Sequence, residues 1–429
     1  MALKSLFDEF IPPNTIHLGI GAPSSDLLPV SLMREAAASC LTESNPSAFS
    51  SLQYGPELGD GDMLERLATF LAAEYGTPVD RQVDRQSCIA LTSGASQSLA
   101  NIASIFCHPS TTRHVLFQNP TYHHVFRTLR DAGYREDQFV GVPDDEEGMD
   151  IEGLRTWLEQ QATIPTSNGH HPHRNTYLLY CVPTFANPDT TTLSHTRRQQ
   201  LVQLAREYDI LIVCDDVYDM LWYDASATVP PRLASYDEEG DERAVVISNG
   251  TFSKILGPGV RCGWMEARRS IIARVKKSGV YVSGGSPAHF VSLVLHHLLI
   301  PRDGKAMPLS KHLLHLRMSL SERLQALATA VQTDLVPLGC ALYPNGKKPT
   351  GGYFVWIQLP PNVTTAMLSR ELLVSINRGQ GVKLMLSDVF WTPGTAPPGH
   401  FVRLCFAYYN AKDLVEGVQR LKNCIERCL

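Results

Sequence analysis

Short apolar runs alternate with amphipathic segments between about residues 60 and 300. The apolar runs have the length of buried strands, and they predict strands at 88–92, 114–117, 139–142, 177–182, 210–214 and 244–248. The intervening segments carry apolar residues at helical spacing, and they predict helices at 96–106, 125–132, 151–160, 195–208 and 271–278. This alternation is typical of an α/β fold with a doubly wound, largely parallel sheet.

The two ends of the chain differ from this middle part. Residues 1–50 predict an arm followed by a helix at 32–41, with Ser31 as its N-cap. Beyond residue 300, helices and strands are segregated, which is typical of a smaller α+β domain. Its predicted elements are a helix at 309–333, a strand at 351–357, a helix at 365–377, a strand at 400–406 and a helix from 411. We therefore expect an arm with part of the small domain (1–50), a large domain (51–300) and a small C-terminal domain (301–429).

Composition excludes several classes of protein. The 429 residues include 38 Lys plus Arg and 43 Asp plus Glu, a net charge of −5, so no basic footprint for nucleic acid is expected. No apolar run is long enough for a membrane span, and Asp8 and Glu9 interrupt the place where a signal peptide needs its apolar core. The ten cysteines are scattered, which favours a reduced cytoplasmic protein without a metal site. Three histidines at 170, 171 and 173 are interpreted as part of an exposed polar loop.

The segment at 248–264, SNGTFSKILGPGVRCGW, places a single lysine among apolar residues, glycines and hydroxyls. Desolvation lowers the pKa of a lysine, and such an amine is a nucleophile that forms Schiff bases. Thr251, Ser253 and Arg261 could together hold a phosphate. A lysine next to a phosphate site suggests that Lys254 binds pyridoxal phosphate, although a surface lysine in a turn would also explain the pattern.

Two acidic residues, Asp215 and Asp216, directly follow the predicted strand at 210–214. Buried carboxylates are costly unless they are paired or functional, and α/β sheets bind ligands at the carboxyl ends of their strands. A carboxylate there can keep a pyridine nitrogen protonated, which makes the ring an electron sink. Tyr218 could then reach the ring hydroxyl. Helix capping by one of the acids is the alternative.

Three more segments follow predicted strands. Ala95 and Ser96 begin a helix, whose free N–H groups and dipole favour a phosphate. Tyr122 could stack on a flat cofactor, and Asn187 could donate to a phenolate oxygen. Each of these segments is a weak signal when it is taken alone, and the last two are typical of ordinary turns.

Taken in order, the five segments resemble fold-type I pyridoxal phosphate enzymes of the class I/II aminotransferase family. The stretch from Thr251 to Gly263 resembles the family signature S-F-S-K…P-G-x-R-x-G, Asn187-Pro188 resembles N-P-x-G, and Asp215 with Tyr218 resembles D-x-x-Y. The resemblance extends over nearly the whole chain through 20–23, 54–59 and 401–407. The 19–29 segment and the Asp215-Asp216 pair most resemble the 2-aminoadipate (kynurenine) aminotransferase branch.

The resemblance implies a role for each matched residue. Lys254 would form the Schiff base with pyridoxal phosphate and move the proton, and Asp215 would pair with the pyridine nitrogen. Asn187 and Tyr218 would contact the ring oxygen, with Tyr122 stacked on the ring. The phosphate would be held by Ala95, Ser96, Thr251, Ser253 and Arg261, and by Tyr54 of a neighbouring subunit, which implies a homodimer. Arg403 would bind the substrate α-carboxylate, with Gly21 in the arm and Asn187 also contributing to the substrate site.

The sequence also departs from the family pattern. Position 190 is Thr where N-P-x-G has Gly, which changes the backbone conformations open to that loop. Position 251 is Thr rather than Ser, which keeps the hydroxyl donor. Position 95 is Ala where the aminoadipate branch often has Ser.

The predicted function is the transfer of an amino group from an L-amino acid to a 2-oxo acid by a ping-pong mechanism. The alternative is another reaction of the same fold: elimination or replacement, cyclisation, or oxidative deamination. His123 and His124, beside Tyr122, are unusual at this place, and we interpret them as partly exposed helix residues rather than as part of the site.

Overall fold

The computed structural model describes residues 11–42, 44, 48–76, 85–163, 174–224, 229–238, 240, 243–302, 304, 306–395 and 398–429. The loop histidines at 170, 171 and 173, and the acidic residues Asp8 and Glu9, lie outside this range.

An eight-stranded sheet forms the larger part of the molecule, in the order β2-β9-β8-β7-β6-β3-β4-β5. Its strands are β2 (Ile89–Thr92), β3 (His114–Asn119), β4 (Phe139–Asp145), β5 (Gly148–Met149), β6 (Tyr177–Cys181), β7 (Ile210–Cys214), β8 (Val246–Thr251) and β9 (Gly263–Ala267). The five strands from β8 to β4 run parallel, and β9 and β5 pair antiparallel with their neighbours. The carboxyl ends of β3, β6, β7 and β8 therefore meet at one edge of the sheet.

Helices cover both faces of this sheet, because its central strands are apolar on both sides. Those between residues 61 and 296 are α2 (Gly61–Glu74), α3 (Ala95–Phe106), α4 (His124–Asp131), α5 (Ile151–Ala162), α6 (His195–Glu207), α7 (Arg269–Lys276), α8 (Gly279–Val282) and α9 (His289–His296). None of the described helices has the length and hydropathy that a bilayer span requires.

A smaller sheet is built mainly from the C-terminal part of the chain. Its strands are β10 (Ala341–Tyr343), β11 (Phe354–Gln358), β13 (Met385–Leu386) and β14 (Phe401–Cys405), in the antiparallel order β10-β11-β14-β13. The N-terminal β1 (Thr15–His17) pairs in parallel with β12 (Gly381–Lys383). The remaining helices are α1 (Val30–Cys40), α10 (Pro308–Ala330), α11 (Thr365–Asn377) and α12 (Ala411–Glu426).

The predicted fold class is confirmed: a large mixed, doubly wound sheet stands beside a smaller α+β region. Each predicted strand of the large sheet is present; the strand at 210–214 matches β7 at both ends, and the ends of the others differ by at most three residues. One local prediction is wrong, because α1 begins at Val30 with Pro29, rather than Ser31, at its N-cap position. Strand β9 was not predicted, since its first two residues, Gly263 and Trp264, form the end of the Gly-rich 248–264 segment.

Candidate active site

The carboxyl ends of four parallel strands open into one cavity of about 180 Å³. The chain reaches the cavity at Tyr122 after β3, at Asn187 after β6, at Asp215 after β7 and at Lys254 after β8. Of the predicted cofactor residues, all but Tyr54 line it: Ala95, Ser96, Tyr122, Asn187, Asp215, Tyr218, Thr251, Ser253, Lys254 and Arg261. The fold therefore brings together side chains that are spread over more than 160 positions of sequence.

Lys254 lies in a short 3-10 turn, Phe252–Lys254, that continues directly from β8. The hydroxyl of Thr251 accepts from the backbone N–H of Ser253 at 3.1 Å and so shapes the turn. Burial lowers the pKa of Lys254 to about 8, and the charge of Arg403 contributes to the same shift. Its ammonium donates to the carbonyl of Gly21 at 2.7 Å, so the predicted arm residue faces this amine.

Asp215 presents one bonded and one free carboxylate oxygen. The hydroxyl of Tyr180 donates to Oδ2 at 2.6 Å, whereas Oδ1 is buried without a partner in the described part of the chain. Burial raises the pKa of Asp215 to about 6, and the charge of Asp216 adds to this, while Tyr180 and Lys254 oppose it. A buried acceptor without a partner is rare in folded proteins, and a protonated ring nitrogen in the cavity would satisfy it.

Another part of the cavity is suited to an anion. Helix α3 begins at Ala95 after Gly94, which has a φ of +93°. A Cβ atom at Gly94 would lie 3.5 Å from Nη2 of Arg261 and 3.6 Å from Oγ1 of Thr251, so both side chains flank the free N–H groups of the helix. Backbone N–H groups, a hydroxyl and a guanidinium form a typical phosphate site. Together with the free oxygen of Asp215 and the amine of Lys254, these residues fit pyridoxal phosphate.

Arg403 comes from β14 of the smaller sheet and is 4% exposed. Its Nη1 donates to Oδ1 of Asn187 at 2.7 Å, and its Nη2 donates to the carbonyl of Gly19 at 2.9 Å. The guanidinium carbon lies 4.0 Å from the ring centroid of Phe354. Burial lowers its pKa to about 10, yet Arg403 makes no ion pair with any carboxylate among the described residues. A substrate carboxylate could therefore supply the missing charge.

The loop that carries Asn187 is fixed by hydrogen bonds from Arg198 of α6, whose side chain is fully buried. Its guanidinium donates to the carbonyls of Pro183 at 2.6 Å and of Leu193 at 2.8 Å, near the two ends of the loop. The loop conformation is thus fixed from within the large part of the molecule.

Thr190, which replaces the glycine of the family pattern, adopts a φ of +66°. This left-handed region is unfavourable for a β-branched residue. Its N–H donates to the carbonyl of Ala186 at 2.9 Å, and its hydroxyl is buried without a partner in the described structure. The loop has kept the backbone conformation that suits glycine, although the residue has changed.

Contributors to the site that were not predicted include Tyr180, Phe354 and the carbonyl of Gly19. Tyr180 and Phe354 lie within the apolar runs of their strands, so the neighbouring sequence does not distinguish them from ordinary core residues. The pairing of Tyr180 with Val213 on β7 brings the phenol near Asp215, and only the strand register carries that information.

Tyr54 is the one predicted cofactor residue that does not line the cavity. It is 85% exposed and lies beside Gly284, where a Cβ atom would be 3.5 Å from the Tyr54 ring. The single chain therefore leaves this phenol free for a neighbouring molecule.

Comparisons with known proteins agree with this geometry. The sequence profile of the family "Aminotransferase class I and II" matches residues 13–421. Aromatic-amino-acid aminotransferase 1 of Thermococcus litoralis is 28% identical, over 96% of this chain and 88% of that protein. The 2-aminoadipate transaminase of Thermus thermophilus is 27% identical, over 97% of this chain and 91% of that protein.

A solved structure shows the same likeness in three dimensions. The kynurenine aminotransferase of Pyrococcus horikoshii, in a complex with PMP, superposes with a TM-score of 0.78 and 28% identity, covering 96% of this chain and 91% of that one. The protein thus belongs to the class I and II aminotransferase family and is a fold type I, pyridoxal phosphate-dependent aminotransferase.

Proposed function

We propose that Lys254 binds the cofactor covalently and carries the proton during amino transfer. The observation that carries this proposal is the convergence of a buried amine, a carboxylate oxygen without a partner and an anion cradle on one 180 Å³ cavity. When bound, pyridoxal phosphate supplies an aldehyde for the amino group and a ring that takes up electrons. With a pKa of about 8, Lys254 is partly neutral near neutral pH, so it can act as nucleophile and as base.

In this proposal the other residues of the cavity orient the ring. Oδ1 of Asp215 would accept from the pyridine N–H, and Asn187 and Tyr218 would contact the ring oxygen. Tyr122 would stack on the ring. Thr251, Ser253 and Arg261, with the N–H groups of α3 at Ala95 and Ser96, would hold the phosphate.

Arg403 would bind the α-carboxylate of both substrates. Its present partners are a neutral carbonyl at Gly19 and a neutral amide oxygen at Asn187. A carboxylate forms stronger, bidentate hydrogen bonds with a guanidinium than neutral acceptors do. The substrate would therefore take over at least the Gly19 contact, next to the arm residue Gly21, whose carbonyl accepts from Lys254.

A homodimer is part of the same proposal, with Tyr54 of one subunit reaching the phosphate of the other. The support is an exposed apolar surface around Tyr54, which we call the dimer surface: Phe49 (77% exposed), Leu52 (71%), Tyr54 (85%), Val282 (61%), Val280 (50%) and Phe290 (39%). His289 contacts the carbonyl of Ser50 at 3.2 Å and joins its two halves. Contiguous exposed apolar surface of this kind marks interaction sites.

The division into an arm (1–50), a large domain (51–300) and a small domain (301–429) also belongs to this proposal. It is supported by the pairing of β1 with β12 and by the separate C-terminal sheet. A cytoplasmic location is supported by the ten cysteines, none of which forms a disulfide in the described structure, as expected in a reducing compartment.

An absorbance scan with single L-amino acids, and no oxo acid present, tests the function. We expect the band of the bound aldehyde form to convert to a stable pyridoxamine spectrum, with one equivalent of oxo acid released. The amino acids that give this conversion identify the donor. Release of ammonia with return of the original spectrum would contradict transamination and favour elimination or oxidation.

A further inference from the structure

The hydrogen bond between Tyr180 and Asp215 plays no part in the function proposed above. Tyr180 lies on β6, opposite Val213 of β7 in the parallel register. The backbone N–H of Asp215 donates to the carbonyl of Cys181 at 2.8 Å, so both ends of this contact are fixed by the sheet. Tyr180 is 1% exposed, and its hydroxyl lies 2.6 Å from Oδ2 of Asp215. The contact is therefore short, buried and held on rigid elements.

The two oxygens of Asp215 differ because of this contact. Tyr180 is the only side chain in the described structure that donates a hydrogen bond to Asp215, and it uses Oδ2. Oδ1 keeps no partner. A carboxylate fixed through one oxygen has a defined rotation about its Cβ–Cγ bond, so the other oxygen keeps a fixed direction as well.

The neighbouring acid, Asp216, belongs to a different network. Its Oδ2 accepts from the hydroxyl of Ser248 at 2.5 Å, and Arg232 donates to that hydroxyl at 2.9 Å. Arg232 also forms an ion pair with Glu266 at 2.6 Å. The buried guanidinium is thus engaged away from Asp215, whose fixed side-chain donor is a neutral phenol. A neutral donor holds the carboxylate in place without cancelling the charge that a protonated ring nitrogen needs.

We infer that Tyr180 is a positioning residue for the cofactor: it fixes one oxygen of Asp215 and leaves the other as the acceptor for the pyridine nitrogen. This inference rests on the proposed role of Asp215. It also gives the buried hydroxyl of Tyr180 the hydrogen-bond partner that a phenol in the core requires.

The charged and titratable groups around Asp215 shift the pKa of its carboxyl group. Asp216 raises the pKa of Asp215, whereas Tyr180 and Lys254 lower it. The pKa of Tyr122 is in turn raised by Asp215, in addition to the larger effect of burial. Loss of the Tyr180 hydroxyl should therefore favour the protonated form of Asp215, which cannot stabilise a ring N–H by charge.

The test is Tyr180→Phe, with Tyr177→Phe as the matched control. Tyr177 lies on the same strand but packs against His114 and Trp157, in a hydrophobic cluster that does not include Tyr180. For Tyr180→Phe we expect the Kd of the apo-protein for pyridoxal phosphate, measured by equilibrium dialysis, to rise about tenfold, the size expected for one hydrogen bond to a charged group. We expect kcat to fall with little change in KM, and Tyr177→Phe to match the wild type in all three values.

Asp215→Asn, alone and combined with Tyr180→Phe, separates the possible outcomes. If the inference holds, Tyr180→Phe adds little to Asp215→Asn, because both act through one contact. Two outcomes would overturn the role of Tyr180 but leave that of Asp215 intact. One is full additivity of the two effects in the double variant. The other is a Kd for Tyr180→Phe within twofold of wild type while Asp215→Asn binds the cofactor weakly. Unchanged binding and turnover in Asp215→Asn would instead overturn the proposed role of Asp215.

Discussion

Arg403 and Asn187 are joined by a 2.7 Å hydrogen bond although 216 positions separate them in sequence. One comes from a strand of the smaller sheet and the other from a loop of the large sheet. The contact ties the proposed carboxylate site to the proposed ring site. Any shift between the two parts of the molecule would therefore act on both sites at once.

Lys254→Ala should abolish the absorbance of the covalently bound cofactor and the transfer of amino groups. The Ala side chain offers no amine, and no other lysine lines the cavity in the described part of the chain. The measurement is borohydride reduction followed by peptide mass analysis, with turnover in parallel. Lys412→Ala, at an exposed lysine on α12, serves as control. Retained labelling and activity in Lys254→Ala would contradict the assignment.

The reaction of the apo-protein with pyridoxal phosphate should depend on pH through Lys254. Burial lowers the pKa of its amine to about 8, and only the neutral amine attacks. The rate should therefore rise roughly tenfold per pH unit below pH 8 and level off above it. Stopped-flow absorbance gives this profile. N-α-acetyl-lysine, with an unperturbed amine, should show a rate that still rises beyond pH 9; a matching profile for the protein would argue against the lowered pKa.

Arg403→Lys should mainly raise KM for the amino acid, by about 10-fold to 100-fold. An ammonium is a point charge that cannot reproduce bidentate contacts with a carboxylate. Pyridoxal phosphate affinity should stay near the wild-type value, because Arg403 does not line the cofactor cavity. Steady-state kinetics and equilibrium dialysis test both statements, with exposed Arg378→Lys as control. Lost cofactor binding with unchanged KM would contradict the assigned role.

Thr190→Gly should increase the free energy of unfolding by up to about 1 kcal/mol, because glycine adopts a positive φ without strain. Thr190→Ala is the matched control, since it removes the hydroxyl but keeps the Cβ that is strained at a φ of +66°. Urea unfolding measures both variants. A gain for Ala equal to that for Gly would assign the effect to the buried hydroxyl instead.

Leu52→Arg should shift the protein from dimer to monomer, because it places a charge within the dimer surface. Light scattering coupled to size exclusion measures the mass at several concentrations. Leu314→Arg is the control, since Leu314 is 58% exposed on α10 and lies outside that surface. A wild-type protein that is monomeric throughout would refute the proposed dimer.

The chemistry of the site was predictable because its signals are local. The single lysine at 254, with its hydroxyls and Arg261, lies within one short segment, and Asp215 directly follows an apolar strand. An apolar run of strand length indicates a buried strand. The side chains that follow each strand could therefore be identified from the amino-acid sequence alone.

Other features depended on which strands and segments pair. The Tyr180–Asp215 bond requires the register of β6 against β7, and the Arg403–Asn187 bond requires the smaller sheet to meet the loop after β6. The positive φ of Thr190 is imposed by a loop held at both ends by Arg198. Such contacts form because the whole chain packs in one arrangement, and that arrangement cannot be predicted from any short stretch of sequence. The type of chemistry was thus encoded locally, and its geometry arose only when distant segments packed together.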